Sequence, residues 1–308
     1  MKLFLKKLKK CVTDPRRAVL FLLGKEAVAR LFPDRLYLKI KYRLGMKKKL
    51  NLENPQTFNE KLQWLKLYDR NPEYTKMVDK YEVRKYIAEK IGEEYLIPLL
   101  GVWDNPDDID FDKLPNQFVL KCTHNSGLGM CICKDKSKLD ITKVKKELKK
   151  GLKQKYHLHG REWPYKNVKP RIIAEKFMVD ESGIELKDYK IFCFNGTPEY
   201  VEVDFNRFVE HRLNPYDFNW EPLNFCDSSK NDYSADIKKP EKLNEMRKIA
   251  EILSAGFPYL RVDFYSIYSQ IYIGELTLFP GSGYIQFEPA STDLKYGNLL
   301  RLEGIKGK

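Results

Sequence analysis

Histidine is scarce in this chain, with four among 308 residues, and none of its six cysteines forms a C-x-x-C pair. Zinc sites are built from closely spaced sets of those side chains, so a zinc centre is excluded. Cys131 and Cys133 have the i, i+2 spacing of one strand face. With Cys11, Cys122, Cys193 and Cys226 they read as reduced, partly buried thiols of a cytosolic protein. Long apolar runs are lacking too. Ala18–Leu23 is only six residues long, where a spanning helix needs about 20. No small-residue cleavage site follows it, so a secretory leader is not expected. There is no G-x-G-x-x-G and no Walker loop.

A one-sided charge is also absent from most of the sequence. Residues 1–50 hold 16 basic and three acidic residues, while the remainder holds 40 of each. The net charge of +13 therefore belongs to an N-terminal module. Such a module suits an anionic inner-membrane surface, at about 1 kcal/mol per basic residue. It equally suits another polyanion, and a solvated helical face is the bland alternative. Nucleic acid is disfavoured, because aromatic residues do not interleave with the basic cluster. What is present is a content of 43% hydrophobic and 13% aromatic residues, enough for a folded chain with a large core.

The pattern predicts a mixed α+β protein. Residues 1–50 read as helical. Thr57 and Glu60 have capping-box spacing before a helix over 58–69 with Phe58, Leu62 and Leu65 on its apolar stripe. Asn71-Pro72 ends it, and a second helix is expected over 73–91, closed by Gly92. Strands are expected over 97–102, 118–123, 127–133, 171–179, 188–195 and 200–205, with a Lys-rich helix over 140–155. Residues 206–240 read as loop, and 241–255 as a helix closed by Gly256.

The stretch YLRVDFYSIYSQIYIGELTLFPGSG, residues 259–283, reads as a hairpin with two acids in an apolar setting. If Tyr268, Ser269 and Gln270 form the loop, Ile267 pairs with Ile271 and Asp263 falls opposite Glu275. Paired residues sit about 4.5–5.5 Å apart at Cβ, so the like charges need compensation. A hard divalent cation such as Mg²⁺ supplies it through carboxylate oxygens. Thr277 points to the same face and offers a hydroxyl.

Other segments carry chemistry more weakly. In FVLKCTHNSGLGM a strand delivers Lys121 to a loop with Asn125, Ser126, Gly127 and Gly129, suited to close approach of an anion. In RIIAEKFM a strand carries Glu175 and Lys176. In LKDYKIFCFNG, Lys190 lies on a mostly apolar strand, which implies a paired or anion-facing lysine. Lys80 stands at a helix start, where phosphate binds readily.

Taken together, NPQTFNEKLQWLKLYD, FVLKCTHNSG, DYKIFCFNG and GELTLFPGSG resemble the TupA-like group of the ATP-grasp superfamily, linked to teichuronopeptide and other surface-polysaccharide synthesis. The resemblance covers about residues 50–290. It implies an ATP-grasp fold, two α+β subdomains gripping ATP. A basic, mainly helical region over 1–75 would precede an ATP-grasp domain over 76–305, with a small lid at about 110–178 and a large subdomain at about 179–305.

The resemblance also implies site roles. Lys80 and Lys121 would hold phosphates, and the 124–129 loop would close over them. Glu175, Lys176, Phe177 and Met178 would receive adenine, and Glu185 the ribose. Lys190 would face phosphate, Arg261 would stand near an acyl phosphate, and Asp263 and Glu275 would bind metal. The superfamily commonly has Asn where this chain has Thr277. Asp204, Arg207, His211 and Arg212 form a loose polar group suited to substrate.

The implied cofactors are ATP and Mg²⁺. The implied reaction is carboxylate–amine ligation through an acyl phosphate, with a uronic acid or amino-acid group of a glycan or glycan-lipid as carboxylate and a small amine as nucleophile. The competing readings are an ATP-dependent glycan kinase and a noncatalytic, membrane-associated nucleotide-binding module. The expected location is cytoplasmic, peripheral on the inner face of the membrane.

Overall fold

The computed structural model describes residues 14–183, 185–206, 209–227 and 230–305. The expected N-terminal helices are present from Pro15 onward, as Pro15–Leu23, Glu26–Ala29 and Asp34–Met46. Residues 1–13, with Cys11 and five of the lysines, lie outside the described part. The Asp14 carboxylate accepts the Arg16 N–H and Pro15 occupies the first turn, where its missing N–H costs nothing. Leu23, Ala29, Tyr37, Leu38 and Tyr42 close a small apolar core. Among the described residues, no helix is long and apolar enough to cross a membrane.

The predicted capping box forms. Thr57 Oγ1 accepts the Glu60 N–H at 3.3 Å, and the Glu60 carboxylate accepts the Thr57 N–H at 3.2 Å. The helix Phe58–Tyr68 then buries Phe58, Leu62 and Leu65 in the main core. The next expected helix is two. Glu73–Val78 and Val83–Ile91 are separated at Asp79, whose extended backbone leaves the first helix. The Asp79 carboxylate accepts the Tyr81 N–H at 2.9 Å, competing with helical bonding as short acidic side chains do. Lys80 therefore sits in the connection between helices rather than at the head of a long one.

Two antiparallel sheets follow, as expected for an α+β chain. The smaller contains β1 (Leu99–Trp103), β2 (Phe118–Cys122), β3 (Cys131–Cys133) and β4 (Ile172–Lys176), ordered β1-β4-β2-β3. The expected strand over 127–133 pairs only from Cys131, because Gly127 and Gly129 take positive φ. The helix Ile141–Leu152 covers this sheet through Val144, Leu148 and Gly151.

The larger sheet contains β5 (Asp188–Phe194), β6 (Thr197–Phe205), β7 (Arg212–Tyr216), β8 (Tyr259–Ile267) and β9 (Gln270–Thr277), ordered β7-β6-β5-β8-β9. β7 lies inside the segment expected to be loop. Its sequence RLNPY contains Pro215, which a sheet tolerates at an edge, and β7 is an edge strand. The helix Leu243–Ser254 packs Leu243, Met246, Ile249, Ala250 and Leu253 into the main core. Cys122, Cys131, Cys133, Cys193 and Cys226 are free thiols.

Candidate functional site

The β8–β9 hairpin turns through Tyr268 and Ser269, with φ of 46° and 62°. Two consecutive positive φ values make the tight turn that suits strand twist. Ile267 therefore pairs with Gln270, one residue short of the expected Ile271. A bulge restores the count: Phe264 pairs with Ile273, and Asp263 with Glu275. Gly274 is the extra residue, and a Cβ there would lie 2.9 Å from the Tyr265 ring. The two acids face each other as expected, by a route that period-two counting does not see.

Their charges are met separately. Arg261, two residues before Asp263 on the same face, donates from Nε and Nη2 to the two Asp263 oxygens, each at 2.6 Å. Arg261 Nη2 also donates to Thr277 Oγ1 at 3.1 Å, so the Thr277 hydroxyl is tied to this pair. Burial pushes the Asp263 carboxyl upward, against the pull of the Arg261 guanidinium. Glu275 is more open, with 38% of its side chain exposed and Lys80 Nζ 4.0 Å away.

The donor chemistry fits Mg²⁺. Both acids offer hard oxygens from one rung of the ladder, and an ionised carboxylate has lone pairs beyond those Arg261 engages. Among the described residues, no group of three His, Cys, Asp or Glu side chains is placed to hold a metal ion. Further ligands would come from Thr277, water and phosphate oxygens.

Across the cleft, Lys121 Nζ lies 2.5 Å from Glu175 Oε2, and Arg84 Nη1 lies 3.5 Å from Glu175 Oε1. Lys80 Nζ donates to the Asn125 carbonyl at 2.6 Å, and the Lys80 N–H donates to the Thr123 carbonyl at 3.2 Å. Lys80, Arg84, Lys121, Glu175, Gly274 and Glu275 line one pocket where the two sheets approach. The structure thus brings Lys80, Lys121, Glu175 and Glu275 together.

The other expected positions divide. Asn125 is buried and donates its amide to the Gly151 carbonyl at 3.2 Å, so its side chain faces the lysine-rich helix. Ser126 and Gly127 are exposed at the loop tip, and Gly129 is buried. Lys176 is exposed, and its N–H donates to the Pro98 carbonyl at 3.0 Å, while Phe177 and Met178 are half-buried. Glu185 is half-buried and accepts the Asn206 N–H at 2.7 Å.

Lys190 is paired, one of the two states its strand position implied. It bonds Asp204, stands 3.9 Å from Glu202, and shares Asp204 with His211 Nε2 at 3.3 Å. Asp204 and His211 therefore gather on Lys190, whereas Arg212 pairs with Glu210. Arg207 lies outside the described residues.

Three groups were missed in the sequence. Arg84 follows Lys80 by four residues. Glu202 precedes Asp204 by two, on the same strand face. Burial, reinforced by Asp227 and opposed by Lys190, pushes the Glu202 carboxyl up to about 8. Lys66 is buried and donates to the Gly160 and Ser282 carbonyls, both at 2.7 Å. It braces the Pro280–Gly283 turn, where Ser282 takes a φ of 53°. Burial lowers Lys66 to about 7, with Glu162 opposing. No spacing rule marks a lysine buried by so distant a segment.

Three solved structures illustrate the remote likeness. D-alanine–D-alanine ligase from Bacillus anthracis complexed with ATP is 15% identical over 72% of this chain and 63% of that one, with a TM-score of 0.41. The enzyme of the same name from Helicobacter pylori is 17% identical over 79% and 69%, at 0.40. The ATP-grasp ligase PsnB complexed with minimal precursor, Mg and ADP is 12% identical over 85% and 70%, at 0.37. The chain thus spans less than two thirds of the first of these, and likeness at this level transfers no chemistry. No curated protein matches the chain. A family model described as TupA-like ATPgrasp matches residues 60–301, most of the sequence. The chain belongs to the TupA-like ATP-grasp family.

Proposed function

We propose that the protein is an ATP- and Mg²⁺-dependent carboxylate–amine ligase acting on a surface glycan. The observation that supports this best is the meeting of Lys80, Lys121, Arg84, Glu175 and Glu275 in one cleft between the two sheets. Three cations there can share the charge of a triphosphate, which competes with Glu175 and Glu275 for their ammonium groups. In this reading the four-stranded sheet is the lid; β2, β3 and β4 fall within about residues 110–178, and β1, Leu99–Trp103, joins them from before that range. The five-stranded sheet is the base, about 179–305. The 124–129 loop presents Ser126 and Gly127 to phosphate, and the 175–178 hinge receives adenine.

The substrate carboxylate attacks the γ-phosphorus, its bond to phosphorus forming as the bond to ADP breaks. An amine then attacks the acyl carbon, phosphate leaves, and the amine loses a proton. Lys80 and Lys121 offset charge on the transferring group, and Arg261, fixed by Asp263, stands beside the acyl phosphate. Asp263 and Glu275 would hold Mg²⁺, which supplies polarisation of the phosphoryl oxygens when bound. The carboxylate is a uronic acid or amino-acid group of the glycan, and the amine is small. The N-terminal helices expose Phe21, Leu22 and Leu31 beside Arg16, Arg17, Lys25 and Arg30. They would seat the protein on an anionic inner-membrane surface, where glycan-lipid is made.

The test is Glu275→Ala, with folding checked by circular dichroism. ATP consumption should fall to background. Full turnover by the folded variant would sink the site assignment. Hydroxylamine should trap the acyl phosphate, whereas a phosphorylated product stable to that reagent would favour a kinase.

A further inference from the structure

Residues 141–155 carry seven lysines against one glutamate. The helix Ile141–Leu152 turns Val144, Leu148 and Gly151 onto the smaller sheet, which leaves the opposite face in solvent. Lys146, Lys149, Lys150 and Lys153 follow i, i+3, i+4 and i+7 spacing, so they form one exposed stripe. Two carboxylates answer part of this charge. Glu147 pairs with Lys150 at 2.5 Å, and Asp107 pairs with Lys149 at 2.7 Å and Lys145 at 3.9 Å. Among the described residues, Lys143, Lys146, Lys153 and Lys155 have no ion-pair partner. Like charges at this spacing repel and weaken a helix, and an external polyanion removes that repulsion.

The stripe also shows what kind of polyanion fits. It has no aromatic residue for bases to stack on. Its helix has already turned its apolar face to the sheet, so it cannot bury that face in lipid. The N-terminal helices differ, with Phe21 53% and Leu31 77% exposed beside basic residues.

The helix is also joined to the candidate site. Gly129 and Gly151 touch so closely that a Cβ on Gly151 would stand 2.8 Å from Gly129 Cα. The Asn125 amide donates to the Gly151 carbonyl at 3.2 Å, and His124 Nε2 lies 3.2 Å from the Gln154 carbonyl. The helix that carries the stripe is thereby fixed to the 124–129 loop, through the face opposite the lysines.

We propose that the lysine stripe is the docking surface for an acidic polysaccharide, a chain bearing repeated carboxylates that the cleft modifies. This deepens the ligase reading by naming how its acceptor is held. The probe is labelled polygalacturonate, titrated by fluorescence anisotropy against the full chain at rising salt. Binding should weaken steeply with salt. It should fall by about tenfold or more, or about 1.4 kcal/mol, in Lys146→Glu/Lys149→Glu/Lys150→Glu/Lys153→Glu. The milder all-Gln version of those four positions should fall in the same direction and guards against misfolding by charge reversal. Binding of a fluorescent ATP analogue should be unchanged in both.

Polymer binding unaltered in the folded variants overturns the proposal. So does a wild-type protein that ignores polygalacturonate, or that prefers RNA or anionic vesicles in a stripe-dependent way. Loss of nucleotide binding in the wild type would count against the ligase reading alone, because the polymer titration does not depend on it.

Discussion

The five-stranded sheet carries Lys190, Glu202, Asp204, Arg261 and Asp263 in its buried centre, whereas the four-stranded sheet brings Lys121 and Glu175 to the cleft from an otherwise apolar core. In the first, each charge is held by a partner in the same sheet: Asp263 by Arg261 two residues earlier on the same strand, and Lys190 by Asp204 and Glu202 on the neighbouring strand. In the second, Lys121 is more open, with 22% of its side chain exposed, and Glu175 is shared between Lys121 and Arg84. The difference teaches that similar lysine–carboxylate pairs do different work. A set held in the sheet interior fixes geometry and is intolerant of loss. A rim pair can exchange its partner for a phosphate with little structural consequence.

The sharpest way to break this comparison is the same substitution in both sheets. Lys190→Met removes the ammonium from a buried carboxylate pair and should destabilise the fold by about 3–5 kcal/mol. Lys121→Met leaves Arg84 beside the buried Glu175 and should cost less, about 1–3 kcal/mol, while weakening ATP affinity. Denaturant midpoints for the two variants decide it. Equal losses would mean that the two sheets treat charge alike.

The smaller sheet should instead be sensitive in its backbone contacts. Gly129 has a φ of +73°, and a Cβ there would stand 2.8 Å from Cys122 Sγ and 2.9 Å from Gly151 Cα. Gly129→Ala therefore meets both left-handed strain and overpacking, for about 1–3 kcal/mol. It should also raise the KM for ATP by displacing the loop. A melting curve and a KM like those of the wild type would show that this contact yields freely.

Some of this was legible from sequence because it depends on short-range periodicity. The capping box at Thr57 and Glu60 follows from spacing alone, whereas the pairing of Asp263 with Glu275 comes right through two offsetting miscounts. The pairing was reached by counting through a loop one residue too long, and the bulge at Gly274 offset that error. Bulges and edge strands escape such counting. Pro215 and Asn214 argue against a strand, yet β7 forms because an edge position leaves the proline without a ladder bond to miss. Partners from distant segments were hidden for another reason. Nothing near Lys66 in the sequence announces Gly160 or Ser282, and nothing near Glu175 announces Arg84. The RVD spacing did place Arg261 and Asp263 on one face, so their ion pair was available to a reading that looked within the strand before looking for a metal.

A smaller effect tests the buried set from inside. Burial holds Glu202 up to about 8, above its usual 4.5, with Asp227 adding to the rise and Lys190 opposing it. A carboxyl raised on folding favours the folded state fully below its unfolded value. That contribution declines as pH climbs through the folded value. Between about pH 4.5 and 8, then, Glu202 should draw stability downward, because its carboxyl ionises in the unfolded chain but is kept protonated in the folded one by burial and Asp227. Glu202→Gln cannot ionise, so the stability difference between variant and wild type should shift in the variant's favour from pH 5 to pH 8.5. Chemical denaturation at those two pH values measures it. A difference independent of pH would mean that Lys190 already neutralises Glu202 throughout. The five-stranded sheet would then be as indifferent to this proton as the apolar core of its smaller neighbour.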